Sequence, residues 1–283
     1  MVLNSQMEII MNIGIFDSGI GGITLLHQAM VSLPSEKYIF YADVDHVPYG
    51  TKSKEAVVGF VDEVMKFMIK HNCKAVVIAC NTATSVAIEI MRQKYNIPII
   101  GIEPAVKPAV ENSEGKRVMV VATPLTVQEK KLKKLLDRVD DGHLVDLVAL
   151  PRLVEFAERG EFDSQEVFEY IKAELSGFDL DKYGELVLGC THFNYFKESF
   201  LKLWPSHICM IDGSEGTIRQ LARVLDNSGK LNAPYINIKS AEYEFDNNKT
   251  QVEYYKSGRL VEDNEELDKL LKLHQRLERM RKL

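Results

Sequence analysis

Two cysteines stand in near-matching frames 110 residues apart: Val76-Val77-Ile78-Ala79-Cys80-Asn81-Thr82-Ala83-Thr84 and Glu185-Leu186-Val187-Leu188-Gly189-Cys190-Thr191-His192. Each frame is a short apolar run that ends in a small residue, then Cys, then polar side chains. An apolar run of that length bounded by small and polar residues reads as a buried strand of a parallel sheet. Each thiol then stands where a strand ends, which is where open α/β sheets bind their ligands. Two thiols held in this way can flank one carbon atom from opposite sides.

The rest of the chain agrees with this layout. Strands read off at Met11–Phe16, Tyr38–Ala42, Ala75–Ala79, Ile97–Ile100, Val118–Ala122, Val145–Ala149, Leu186–Leu188 and Ile208–Ile211. Helical spacing lies between most of them. It runs from Ile23 to Val31, and from Val57 to Ile69, where Val57, Val58, Val61, Val64, Met65 and Met68 form one stripe. Alternating strands and helices predict an α/β fold with parallel sheets and right-handed crossovers. Glu103-Pro104 resets the chain, after which the first-half pattern loosely recurs. The expectation is two pseudo-symmetric α/β domains. The first holds residues 1–103 with 213–283, and the second holds 104–212. Lys239 to Lys256 is polar and turn-rich, and Asn264 to Leu283 has the spacing of an amphipathic helix.

Composition narrows the functional classes. A net charge of −6 disfavours nucleic acid, whose binding needs phosphates neutralised. No apolar run approaches the ~20 residues of a membrane span. Met1 to Met11 lacks the basic and apolar regions of a secretory signal, and reads as an extension before a start at Met11. The four cysteines match neither a zinc site nor a disulfide framework, which suits a reduced cytoplasmic protein. Cys73 and Cys209 are expected to be small buried hydrophobes.

Several short segments could carry chemistry. Asp17-Ser18-Gly19-Ile20-Gly21-Gly22 follows the first strand and opens a helix, where backbone amides can hold a carboxylate. The glycine spacing is not that of a dinucleotide fingerprint. Taken alone, Asp17 and Ser18 read as helix caps. Pro48-Tyr49-Gly50 is a turn signal, and Thr123 to Thr126 joins a strand to a helix. Lys130 to Lys134 reads as a solvated basic face, and Glu155 as a surface residue or a carboxylate tuning a neighbour. A cysteine at a helix start or beside a protonated histidine has its pKa lowered, and the thiolate is the reactive form. Two such frames at equivalent sheet ends are hard to explain by packing.

With these segments in place, the chain resembles the glutamate racemase family over most of its length. The resemblance is carried by Asp17 to Gly22, Pro48-Tyr49-Gly50, Cys80-Asn81-Thr82-Ala83, Glu103-Pro104, Thr123 with Thr126, Leu153-Val154-Glu155 and Gly189-Cys190-Thr191-His192. Aspartate racemases of the wider superfamily tend to carry His where Thr84 stands, and its arylmalonate decarboxylase keeps only one of the two cysteines. Departures from the family pattern are Asn194, Leu125, Glu129 and His46, which bear on substrate preference.

The resemblance implies cofactor-independent interconversion of L- and D-glutamate for peptidoglycan, with no metal, in a cytoplasmic homodimer. Cys190 would deprotonate L-glutamate and Cys80 D-glutamate, each thiolate acting as base while the opposing thiol acts as acid. Asp17, Glu155 and His192 would assist the cysteines and the substrate ammonium. Ser18, Pro48, Tyr49, Gly50, Asn81, Thr82, Thr123, Thr126 and Thr191 would hold the substrate together with Asp17 and His192. The other readings are a sister racemase acting on aspartate or another amino acid, and a non-catalytic amino-acid-binding protein. A thiol redox protein is disfavoured by the absence of Cys-x-x-Cys.

Overall fold

The computed structural model describes residues 11–237 and 251–283. The N-terminal extension and most of the polar stretch from Lys239 lie outside them. Strands β1 (Asn12–Asp17), β2 (Lys37–Ala42), β3 (Cys73–Ile78) and β4 (Ile99–Gly101) pair in the order β2-β1-β3-β4. Strands β5 (Arg117–Ala122), β6 (Val145–Ala149), β7 (Tyr183–Leu188) and β8 (Cys209–Asp212) pair in the equivalent order, β6-β5-β7-β8. Every pair in both sets is parallel. Even a register shift repeats: it falls between Asn12 and Ile13 in β1 and between Arg117 and Val118 in β5. The recurrence expected from the sequence is therefore present at the level of topology.

Helices flank both sheets: α1 (Ile23–Ser32), α2 (Lys54–Lys70), α3 (Asn81–Lys94), α4 (Val106–Asn112), α5 (Pro124–Gln128), α6 (Lys130–Val139), α7 (Arg152–Glu158), α8 (Gln165–Leu175), α9 (Lys197–Leu201), α10 (Ser214–Asn227) and α11 (Asn264–Arg281). Strand alternation decides which face each residue serves. Phe16, Val76 and Ile78 pack with Val57, Val61, Met65 and Met68 of α2, while Ile13, Ile15 and Val77 pack with α1 on the opposite face. In the second sheet Val118 and Val120 join Leu132 of α6, whereas Met119 and Val121 join Phe156 of α7 and Ile171 of α8. Fully burying one such side chain contributes about 1.5–3 kcal/mol. Local signals set the helix starts. Ser53 accepts from Ala56 N–H at 3.2 Å before α2, and Thr123 accepts from Thr126 N–H at 3.3 Å before α5, where Pro124 opens the helix.

Two expectations need correction. The last part of the polar stretch is a strand, β9 (Gln251–Lys256), parallel to β2, and it turns into β10 (Arg259–Leu260) to complete a six-stranded sheet. Only Tyr255 of β9 is buried, so pairing with β2 rather than an apolar pattern makes the strand. Cys209 is exposed, because β8 is the edge of its sheet and is incompletely covered.

The chain crosses between the sheets after β4 and again after β8. The crossings touch: a Cβ on Gly213 would overlap the carbonyl oxygen of Glu103. Helix α11 spans both halves. His274 meets His27 of α1 at 3.2 Å, and the Arg276 guanidinium donates to the carbonyl of Tyr195 at 3.0 and 2.8 Å. No helix among the described residues is long and apolar enough to cross a membrane.

Candidate active site

Equivalent strand ends bring the two thiols to one place. Cys80 follows β3 and caps α3, its sulfur accepting from Ala83 N–H at 3.4 Å. Cys190 follows β7 and opens the 3-10 segment Thr191–Phe196. The backbone ties match as well: Ala79 N–H donates to Phe16 O at 2.7 Å, and Gly189 N–H to Val121 O at 2.8 Å. Asp17 ends β1, and Thr123 stands just past β5. Both sites are the switch points where strand order reverses.

Between them lies a closed cavity. The first sheet contributes Ser18, Pro48, Tyr49, Gly50, Cys80, Asn81 and Thr82 to its wall, and the second contributes Thr123, Val154, Cys190, Thr191 and His192. Both cysteines are 6% exposed. A water molecule's centre can range over only about 10 Å³ there, so the wall is drawn in around the space of roughly one water. An amino-acid-sized ligand needs this cavity to open.

Hydrogen bonds sew the two sides together. Thr191 Oγ donates to Asp17 Oδ2 at 3.0 Å, and Thr24 Oγ donates to Thr191 O at 3.1 Å. The hydroxyl of Thr82 meets those of Thr123 at 2.9 Å and Thr126 at 3.2 Å. A Cβ on Gly21 would overlap the imidazole of His192, so glycine is what lets this turn reach the opposite side. Asp17 and Ser18 do not cap the helix that follows. Asp17 Oδ1 accepts from Gly19 N–H at 3.1 Å, and Ile20 N–H is taken instead by Glu158 Oε1 at 2.8 Å.

Asn81 is the exception to this pairing. It is 4% exposed, lines the cavity, and neither end of its amide has a hydrogen-bond partner. Buried polar groups are rarely left so, because each unpaired group costs about 1–3 kcal/mol. An amide with a free donor and a free acceptor beside two thiols is suited to a small polar ligand.

The electrostatics differ on the two sides. Burial pushes the Cys80 thiol up to about 12; the neighbouring Asp17 carboxylate adds to this, and the Ala83 amide and Ser18 hydroxyl partly oppose it. Asp17 is fully buried and is itself raised, by burial above all, with His192 pulling the other way. For His192 burial is the largest influence and acts downward. Its contacts with Cys190 at 3.8 Å and Glu158 at 2.6 Å outweigh it and hold the imidazole well above its ordinary range. Nε2 meets both Glu158 Oε1 at 2.6 Å and the Gly21 N–H at 3.3 Å, while Nδ1 faces the Cys190 sulfur. Tyr49 is also raised, by burial first and then by the Asp43 carboxylate that accepts its O–H at 2.6 Å.

The structure gathers the sequence-derived candidates with one exception. Glu155 is exposed on α7 and points away from the cavity, whereas Glu158, one turn later, meets both His192 and Ile20. The only sequence signal for Glu158 is its place on the same short helix. Lys54 and Glu129 form a further contact across the cleft at 2.7 Å, one that residue spacing does not reveal. Among the described residues no three His, Cys, Asp or Glu side chains cluster as metal ligands.

Comparison with known proteins follows the same lines. The Asp/Glu/Hydantoin racemase family profile matches residues 24–221. The glutamate racemase of Lachnospira eligens is 52% identical over 276 residues, covering 96% of this chain and all of that protein. Glutamate racemase 2 of Bacillus subtilis is 47% identical, covering 95% and 97% of the two chains. Among solved structures, Bacillus anthracis glutamate racemase RacE1 superposes with a TM-score of 0.73 at 28% identity, over 87% of this chain and 88% of that one. Francisella tularensis glutamate racemase in complex with D-glutamate gives 0.71 at 29% identity over the same shares, 87% and 88%.

Proposed function

The chain belongs to the Asp/Glu/Hydantoin racemase family, and from that premise we propose that it interconverts L- and D-glutamate between Cys80 and Cys190. The observation that carries the reading is the pair of buried thiols on facing strand ends, with the unpaired Asn81 amide beside them. Racemisation removes the Cα proton from one face and delivers a proton to the other. One sulfur takes the proton as a thiolate and becomes S–H; the opposing S–H gives up its proton and becomes the thiolate.

The closed cavity favours a particular starting state. Cys80, raised by burial, holds its proton and is ready to donate it. His192 Nδ1 lies 3.8 Å from the Cys190 sulfur, within reach to exchange a proton with it. The family resemblance assigns Cys190 as the base toward L-glutamate, and we give Glu158, which meets His192, the supporting role that the resemblance implied for Glu155. The carbanion at Cα needs hydrogen-bond donors at the α-carboxylate, a role that the unpaired Asn81 amide fits. Asp17 supports the wall through its bond to Thr191, and the family resemblance gives it the substrate ammonium. The family resemblance extends the proposal to two domains (1–103 with 213–283, and 104–212), a cytoplasmic homodimer, no cofactor, and D-glutamate supply for peptidoglycan.

The test is Cα exchange in D₂O across a panel of amino acids. Both enantiomers of glutamate should exchange and racemise while aspartate does not. Exchange with aspartate alone would move the assignment to a sister racemase, and no exchange with any amino acid would leave a binding protein.

A further inference from the structure

Asp43 is 3% exposed, and it has no part in the chemistry above. Its carboxylate is the meeting point of three segments. Oδ2 accepts the Tyr49 O–H at 2.6 Å, and Oδ1 accepts the Ser257 O–H at 3.0 Å. His46 Nδ1 lies 2.9 Å from Oδ2, its ring stacked on Phe60 at 3.9 Å with its outer side in solvent. The Asp43 backbone N–H donates to Asp17 O at 3.0 Å, which fixes the group beside the end of β1.

Ser257 comes from the β9–β10 hairpin. With Gly258 it forms a two-residue turn in which both residues have positive φ, 44° and 80°. Such turns are favoured between twisted antiparallel strands. The turn is tied down on both sides: Ser257 N–H donates to Ala42 O at 2.8 Å, and its hydroxyl oxygen accepts Asp45 N–H at 3.0 Å.

The consequence falls on Tyr49. A phenol has one proton to donate, and Tyr49 gives it to Asp43. Tyr49 therefore faces the cavity with its ring and with the backbone of Pro48 to Gly50. That backbone runs close to the opposite wall: a Cβ on Gly50 would lie 2.7 Å from the Thr123 Cβ. Its position depends on the anchor that holds the ring.

We propose that Asp43 and Ser257 are positioning residues for the substrate site, holding Tyr49 and the Pro48–Gly50 backbone in register with Thr82 and Thr123. The β9–β10 hairpin thereby belongs to the binding machinery although it touches no ligand. This inference rests on the racemase reading. A misplacement of about 1 Å at a binding wall costs up to roughly 100-fold in efficiency.

The experiment is steady-state kinetics in both directions with thermal melts, on the full chain and on Asp43→Asn, Tyr49→Phe, Ser257→Ala and the Asp43→Asn/Tyr49→Phe double variant. Asp43→Asn should raise KM for both enantiomers about tenfold while kcat changes by less than about threefold. Tyr49→Phe should act in the same direction. The double variant should be no worse than the poorer single one, because both changes cut one linkage. Ser257→Ala should raise KM several-fold with an unchanged melting temperature. Additive losses in the double variant, or a wild-type KM for Ser257→Ala, would overturn the proposal. If Asp43→Asn fails to fold, Ser257→Ala combined with Tyr49→Phe supplies the same comparison. A wild-type chain without glutamate racemisation would instead refute the underlying reading, so the two failures are separable.

Discussion

Glu158 Oε1 sits 2.6 Å from His192 Nε2 and also accepts the Ile20 amide at 2.8 Å, so one oxygen joins α7, the Cys190 loop and the turn after β1. The carboxylate settles which imidazole nitrogen faces it and leaves the other for the sulfur. Glu158→Gln should therefore lower kcat for L-glutamate by roughly 10–100-fold, less than the ~10²–10⁴ of a direct acid or base because Glu158 acts through His192. Glu155→Gln should match the wild type. Rates for both variants in both directions check this, and equal losses in the two would remove the distinction.

Cys80→Ala and Cys190→Ala should each abolish racemisation while leaving single-face exchange or elimination measurable. Near-wild-type racemisation by either variant would sink the two-thiol mechanism.

His192 and Asp17 influence opposite sulfurs, so their loss should be felt in opposite directions. His192→Asn should lower kcat more from L to D, and Asp17→Asn more from D to L. The equilibrium constant fixes the ratio of kcat/KM in the two directions, so the asymmetry must show in kcat and KM separately. Unchanged kcat with a lowered melting temperature would reduce both residues to a structural role.

Three buried histidines shape the pH dependence of stability. His27 and His274 are lowered, in both cases chiefly by burial. Unfolding frees them to bind protons, so stability should fall as pH drops below about 6.5. His192 is raised. Its contribution is complete below about 6.5 and is lost as pH rises through its higher folded value. Each proton contributes a slope of up to about 1.4 kcal/mol per pH unit. Melting temperature against pH should pass through a maximum, and His192→Asn should flatten the alkaline limb alone. Flattening of the acid limb by that variant would contradict the assignment.

Lys54 on α2 and Glu129 before α6 are paired at 2.7 Å, with Lys54 half exposed and Glu129 buried. We expect this pair to part when the cavity admits a ligand. Glu129→Ser should raise KM and kcat together by about two- to fivefold, and added salt should shift the wild type toward the variant, since exposed pairs are weak and screened. Salt-independent wild-type kinetics would count against this latch.

The cysteine frames made much of this legible in advance, because apolar β-branched runs such as Val76–Ile78 and Val118–Val121 can only be buried strands when flanked by Gly, Ala and polar residues. Strand ends were placed within a few residues, and the thiols, threonines and Asn81 came together as expected. Glu158 was missed because it shares α7 with Glu155, and which glutamate faces His192 depends on how the helix sits on its sheet. The β9–β10 hairpin was missed because its residues are mostly exposed and polar; only β2 makes them a strand. Cys209 was misjudged because an apolar run says nothing about whether its strand lies at a sheet edge.

Gly213 and Glu103 lie against each other where the chain crosses between the sheets. Two tethers side by side act as an axle. Two adjacent crossings obstruct rotation about their own line less than sliding across it. Each sulfur stands at the end of its own sheet, and the Thr191–Asp17 and Thr82–Thr123 contacts hold the two sheet ends together. In the proposed reaction one proton is taken and another given across the gap between the sulfurs, and those contacts set the width of that gap.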